Sequence, residues 1–220
     1  MHILLTRPLE DCGNLLIKFK DLGHAVSHLP VIKIKKLEYK EPNFNDYSAI
    51  IFTSSNSIKN LTIDSINKTI KCFCVGSATE KFARSLGFQN VIAADGNVRA
   101  LKELILQNHY KKDGKILYIS GKFISSNLDE ELKTEGYDIS RIINYKVEHI
   151  DEFQNNVIEE LKKNIPDIVY VYSENSAKSL LNIIKKYQLI DSWMNTNLMC
   201  IGEKTSSVLN DVKWKKIFLF

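Results

Sequence analysis

Short apolar runs alternate along the chain with longer stretches in which apolar residues recur every three or four positions. The runs at residues 3–6, 25–29, 49–52, 72–75, 91–93, 116–119, 168–172 and 198–201 predict strands. Between them, Cys12/Leu15/Leu16/Phe19/Leu22, Val98/Leu101/Leu104/Ile105 and Ala177/Leu180/Leu181/Ile184 predict helices that each bury one face. Strands that are apolar throughout, alternating with amphipathic helices, imply parallel sheets covered by helices on both faces, an α/β architecture.

Two longer segments, residues 28–39 and 140–150, break this rhythm. They carry Ile32/Ile34 and Ile143/Tyr145/Val147 at period two, the pattern of extended strands exposed on one side. Pattern alone fits two linkers paired with each other and two edge strands of separate sheets equally well.

The chain also reads the same message twice. Thr53-Ser54-Ser55-Asn56-Ser57-Ile58-Lys59-Asn60-Leu61 shares Ser, Asn, Ser, Lys and Leu with Tyr172-Ser173-Glu174-Asn175-Ser176-Ala177-Lys178-Ser179-Leu180 at an offset of 119. Cys74-Val75-Gly76-Ser77-Ala78-Thr79 matches Cys200-Ile201-Gly202-Glu203-Lys204-Thr205 at an offset of 126, and residues 3–34 match 116–147 at 113, with Gly23 on Gly136. Three matches in one order argue for an internal duplication, hence two similar lobes with a cleft between them.

Length and composition agree with this picture. A chain of 220 residues, 44% apolar and 25% charged, is long enough for two α/β lobes with real cores. No apolar run reaches the about 18 residues of a membrane span. Met1 leads directly into Ile3-Leu4-Leu5 with no room for a secretory leader, so the expectation is a cytoplasmic protein. Cys12, Cys72, Cys74 and Cys200 show no CxxC spacing, and His2, His24, His28, His109 and His149 form no ligand cluster, which argues against a metal site. The formal charge of +4 is spread along the chain, and Lys33 to Lys36 read as a solvated strand edge rather than a nucleic-acid surface. A small anionic ligand fits that balance best.

Chemistry concentrates in the turns that follow the buried strands. Thr53-Ser54 and Tyr172-Ser173 open helices directly after apolar runs, and in a parallel sheet such turns lie at the carboxyl ends of strands, where helix N-terminal amides attract anions. Gly76-Ser77-Ala78-Thr79 and Gly202-Glu203-Lys204-Thr205 repeat the device, glycine permitting close backbone approach and threonine capping the helix or touching a ligand. Each is too short for a phosphate loop or a GxGxxG site. Any single hydroxyl is explained by capping alone, whereas the four turns together favour ligand binding. Tyr145 is the one dissociable group in a suggestive place, either packing or lending a proton to a leaving oxygen.

The set Leu5-Thr6-Arg7-Pro8, Phe52-Thr53-Ser54, Val75-Gly76-Ser77-Ala78-Thr79, Gly96-Asn97, Gly136 with Ile143-Asn144-Tyr145-Lys146-Val147, Tyr172-Ser173 and Ile201-Gly202-Glu203-Lys204-Thr205 resembles the uroporphyrinogen-III synthases over nearly the whole chain. The resemblance implies two α/β lobes joined by a two-stranded β-ladder, residues 1–34 with 149–220 forming one lobe and 35–148 the other. It implies a cyclising lyase of haem biosynthesis that closes hydroxymethylbilane, a linear tetrapyrrole with eight carboxylates, with loss of water and inversion of the last pyrrole ring. No metal or organic cofactor, nucleic acid or membrane takes part, and the enzyme is expected to be a monomer. Carried over residue by residue, Thr53, Ser54, Thr79, Ser173 and Thr205, with amides near Ser77 and Glu203, line the substrate site. Arg7 and Lys122 meet carboxylates at its rim, and Tyr145 assists hydroxide departure without being indispensable. The chain departs from the family in the turn Ser120-Gly121-Lys122-Phe123-Ile124-Ser125, where relatives carry arginines, and in stopping at Phe220, where relatives continue into another helix. A non-catalytic two-lobed binder of an anionic tetrapyrrole is the alternative.

Overall fold

The computed structural model describes residues 1–220. Strands β1 (His2–Leu5), β2 (Ala25–His28), β3 (Ile32–Lys36), β4 (Ala49–Phe52), β5 (Lys71–Val75), β6 (Val91–Ala94), β7 (Ile116–Gly121), β8 (Ile139–His149), β9 (Ile168–Val171), β10 (Asn197–Cys200) and β11 (Ile217–Leu219) alternate with eight α-helices. These are α1 (Leu9–Asp21), α2 (Ser55–Lys59), α3 (Gly76–Ser85), α4 (Val98–Asn108), α5 (Leu128–Thr134), α6 (Asn155–Lys163), α7 (Glu174–Lys186) and α8 (Gly202–Ser207). The chain divides into two units, Met1–Lys33 with Glu148–Phe220, and Ile34–Val147. It passes from one to the other within β3 and again within β8. No helix is long and apolar enough to cross a membrane.

The first unit holds a five-stranded sheet in the order β2-β1-β9-β10-β11, and the second a six-stranded sheet in the order β3-β8-β7-β4-β5-β6. Apart from β3 the two orders superpose, with β2, β1, β9, β10 and β11 in the places of β8, β7, β4, β5 and β6. Register superposes as well: Ile3 pairs with Ile168 as Ile116 pairs with Ala49, and Leu198 pairs with Ile217 as Cys72 pairs with Val91. All of these pairs are parallel. The duplication read from three short matches therefore extends to hydrogen-bonded pairing, the level at which a slip of one residue would turn every side chain to the wrong face.

The second unit shows why its central strands β4, β5 and β7 are apolar almost throughout. Ile50, Phe52, Cys72, Cys74, Leu117 and Ile119 face Ile58 of α2 and Ala83 of α3 on one side of the sheet. Ala49, Ile51, Phe73, Ile116 and Tyr118 face Leu101 and Ile105 of α4 and Leu128 and Leu132 of α5 on the other. Truncating one of these fully buried side chains, such as Leu101, costs about 2–5 kcal/mol. In the first unit Ile3, Leu5 and Cys12 pack with Leu15, Leu16 and Phe19 of α1, while α7 buries Ala177, Leu180, Ile183 and Ile184. All four cysteines are buried free thiols.

Two details differ from the pattern reading, and one open alternative is decided. Leu22, placed on the buried face of α1, is 62% exposed, because the helix ends at Asp21 and Leu22 serves as its C-terminal cap. The segment 28–39 is not one strand: Pro30, which has no N–H to donate, separates β2 from β3. Of the two arrangements left open for the long segments, the structure adopts mutual pairing. β3 lies beside β8 at the sheet edge, and the pairing continues past it where the Leu37 amide donates to the Asn144 carbonyl at 2.9 Å.

Candidate functional site

Because the paired strands within each unit's duplicated core are parallel, the turns singled out by sequence gather at one edge of each sheet, outside the carboxyl ends of adjacent strands. In the second unit this edge carries Thr53 and Ser54 after β4, Ser77 and Thr79 after β5, Lys122 after β7, and Tyr145 within β8. In the first it carries Arg7 after β1, Ser173 after β9, and Glu203 and Thr205 after β10.

Tyr145 is placed by an irregularity. Along β7 and β8, Ser120 stands opposite Ile143 but Gly121 stands opposite Tyr145, so Asn144 is an extra residue in β8. The bulge breaks the expected alternation of Ile143, Tyr145 and Val147. Ile143 is 38% exposed, whereas the consecutive Asn144 and Tyr145 are both buried. The Tyr145 ring then lies against Gly121, where a side chain's Cβ would come within 2.7 Å of Cζ and 3.0 Å of the phenol oxygen. Its main chain is held by the Lys122 amide, which donates to the Tyr145 carbonyl at 2.9 Å. Burial pushes the Tyr145 phenol above its ordinary pKa and a hydrogen bond with Ser54 draws it partly back, so at neutral pH the group carries its proton.

Sequence reasoning missed the polar residues around this tyrosine. Arg141, directly opposite Tyr118 in the β7–β8 pairing, donates from Nε to Ser120 Oγ at 2.7 Å and from Nη2 to the Gly121 carbonyl at 3.1 Å. Tyr118 Oη lies 3.4 Å from Thr53 Oγ1. Asn144 donates from Nδ2 to the Ser57 carbonyl at 2.7 Å, and Ser57 Oγ donates to the Ser54 carbonyl at 2.6 Å, which ties β8 to the start of α2. A charged residue between the apolar Ile139 and Ile142, at the start of a predicted strand, was the available signal for Arg141.

The two kinds of turn separate cleanly. Ser54 and Ser173 are helix caps: Ser54 Oγ accepts from the Asn56 amide at 3.2 Å and Ser173 Oγ from the Ser176 amide at 3.1 Å. Thr79 and Thr205 cap nothing, since the N-cap residues of α3 and α8 are Val75 and Ile201 and no side chain caps either helix, yet both threonines are buried at 6% and 3% exposure. Gly76 and Gly202 open these helices at φ +73° and +74°, the same left-handed start in both copies. The helices differ in length between copies. α2 has 5 residues against 13 in α7, and α3 has 10 against 6 in α8, so any contribution from aligned peptide dipoles is spread unequally over the four turns.

In the first unit the Arg7 guanidinium lies over the Tyr172 ring at 4.7 Å, and Arg7 Nη2 is 3.4 Å from Asp11 Oδ2. Tyr172 also meets Phe220 edge-on with ring centres 5.1 Å apart. Burial raises the Tyr172 phenol to about 12, with Arg7 the chief opposing influence. Lys122, Ser77 and Glu203 are solvent-exposed.

Comparison with known proteins places this geometry in context. The chain is 24% identical to the porphyrin biosynthesis protein HemD of Ruminiclostridium josui over 93% of its own length, but spans 42% of the length of that relative. Uroporphyrinogen-III synthetase of Helicobacter pylori superposes with a TM-score of 0.63 at 17% identity, covering 98% of this chain and 91% of that one. A mutant uroporphyrinogen III synthase of the extremely thermophilic bacterium Thermus thermophilus superposes at 0.61 and 14% identity, covering 99% and 92%. At these identities the structural likeness is one of fold. The sequence model described as uroporphyrinogen-III synthase HemD matches residues 15–218, and the chain belongs to that family.

Proposed function

We propose that the chain is a uroporphyrinogen-III synthase, a cofactor-independent cyclising lyase acting on hydroxymethylbilane. The observation that carries this reading is the protonated, nearly buried phenol of Tyr145, set among hydroxyls at the strand-end edge of a chain of this family. In the reaction Tyr145 donates its hydrogen bond to the terminal hydroxyl of the bilane as the carbon–oxygen bond breaks. As the phenol passes its proton to it, the hydroxyl leaves as water and the remaining carbon becomes an azafulvene-like cation; the proton lost from carbon at the end of the reaction restores the phenol. The bridge-bearing α-carbon of the last ring attacks the cation to give a spiro intermediate. The bond from that α-carbon to its old methylene bridge then breaks, the freed methylene bonds to the ring's other α-carbon, and loss of the proton on that carbon restores aromaticity with the ring inverted.

The bilane also closes unaided without inversion, so catalysis lies in orientation. A charge-assisted hydrogen bond contributes about 1.5–3 kcal/mol, and eight carboxylates need many donors. Thr53, Ser54 and Thr79 with the Ser77 amide, and Ser173 and Thr205 with the Glu203 amide, are proposed to supply them, with Arg7 and Lys122 as the cationic partners. The Ser54 and Ser173 hydroxyls each accept from a helix amide, and each has a second hydroxyl beside it, the Tyr145 phenol for Ser54 and Ser176 Oγ for Ser173.

The test is to supply freshly generated hydroxymethylbilane, oxidise the products and separate the isomers. The type III isomer is expected above an enzyme-free control; type I alone refutes synthase activity. Retained binding of the bilane without turnover would instead select a non-catalytic tetrapyrrole binder.

A further inference from the structure

Arg141 is the one guanidinium that reaches the strand end on which the Tyr145 ring rests, and each of its arms has a distinct task. Nε donates to Ser120 Oγ at 2.7 Å, Nη2 to the Gly121 carbonyl at 3.1 Å, and Nη1 faces Asp129 Oδ1 at 3.9 Å. The side chain is 19% exposed and that of Asp129 is 9% exposed, so water competes weakly for these contacts. Asp129 Oδ1 has no hydrogen-bond partner and depends on the guanidinium charge for its balance. Ser120 Oγ adds a second donor to the Gly121 carbonyl at 3.1 Å. The Gly121–Lys122 peptide at the end of β7 is thereby gripped by two donors at the bulge, where a glycine would otherwise turn most freely.

We propose that Arg141 is a positioning residue: by fixing the Gly121–Lys122 peptide, whose N–H holds the Tyr145 carbonyl, it sets the floor under Tyr145 and so the direction in which the phenol presents its proton. The assignment rests on the synthase reading for its catalytic consequence, and on geometry alone for its effect on the tyrosine. Lysine does not replace it, because a single ammonium lacks the planar fork needed to meet Ser120, Gly121 and Asp129 together.

The experiment compares Arg141→Lys, and Arg141→Gln combined with Asp129→Asn so that no carboxylate is left unbalanced, in wild-type and Tyr145→Phe backgrounds. Tyr145 ionisation is read as the phenolate absorbance that disappears in Tyr145→Phe, which requires no activity. Both variants are expected to shift that titration, to lower kcat by roughly tenfold to a hundredfold with KM little changed, and to add nothing to the loss already caused by Tyr145→Phe. A Tyr145 titration identical to wild type in whichever variant folds, or a kcat loss that multiplies with that of Tyr145→Phe, overturns the proposal. Absence of type III product from the wild-type protein would refute the synthase reading and leave the titration result standing.

Discussion

The ring of Tyr145 occupies the space that a side chain on Gly121 would fill, with the position of a Cβ there only 2.7 Å from Cζ and 2.9 Å from Cε2. Glycine at this strand end is therefore required by contact with one particular ring. Gly121→Ala must push the phenol aside or open the β7–β8 bulge, and overpacking of this kind costs about 1–3 kcal/mol. The expected outcome is a folded protein with kcat reduced as far as in Tyr145→Phe. Combining Gly121→Ala with Tyr145→Ala, which vacates the space, should restore most of the lost stability in urea unfolding.

How much of this was legible in the sequence depends on how local the cause is. Ala49-Ile50-Ile51-Phe52 announces a strand buried on both faces, and Ser54 and Ser173 announce helix starts, because each signal acts within a few residues. The duplication announced two similar lobes, whereas the strand order and register they share became visible only in the structure. The surroundings of Tyr145 were not legible. The register shift opposite Ser120 and Gly121 arises between two strands about twenty residues apart and leaves no mark within either one. Asn144 takes its role from that shift, and Arg141 from the regular pairing just before it. The end of α1 at Asp21, which leaves Leu22 outside, was likewise decided by the chain turning into β2 rather than by periodicity.

The division between capping serines and uncapping threonines predicts opposite outcomes for conservative changes. Ser54→Ala and Ser173→Ala remove hydroxyls that accept from the Asn56 and Ser176 amides, and each should lower stability by about 1 kcal/mol in urea unfolding. Thr79→Val and Thr205→Val keep the buried shape and leave the helix starts as they were, so unfolding midpoints should move less than for the serines. If these threonines meet carboxylates, the same two changes raise KM for the bilane by roughly tenfold, the loss of one charge-assisted hydrogen bond. Unchanged kinetics in both would assign them to packing.

Alkaline pH probes the buried phenols and thiols. Burial raises Tyr118, Tyr145 and Tyr172 above the ordinary 10.0, Tyr172 to about 12, and raises Cys72 and Cys74 above 9.0, Cys74 to about 12. Each group binds its proton more tightly folded than unfolded. Its stabilising contribution is whole below the unfolded pKa and is lost as pH rises through the folded one. Unfolding midpoints should therefore fall between about pH 9 and pH 12, the thiols acting first. Tyr172→Phe keeps the ring under Arg7 and should flatten the upper part of that slope; an unchanged slope would mean that Tyr172 ionises freely in the folded protein.

The paired glycines give the sharpest test of equivalence between the two copies. Gly76 and Gly202 share φ values of +73° and +74°, and a Cβ on either would meet nothing within 4 Å, so the demand for glycine is conformational and not steric. An L-residue in this region is disfavoured by about 1–2 kcal/mol, partly offset by the 0.4–1 kcal/mol that alanine gains through a less flexible unfolded chain, leaving roughly 1 kcal/mol. Trp193 and Trp214, with ring centres 6.3 Å apart, both belong to the first unit, so tryptophan fluorescence reports on that unit while circular dichroism reports on both. Gly202→Ala should lower the fluorescence-detected midpoint in urea, and Gly76→Ala the midpoint seen by circular dichroism, by similar free energies. A loss several times larger at one site than at the other would show that its turn has acquired a constraint its counterpart lacks.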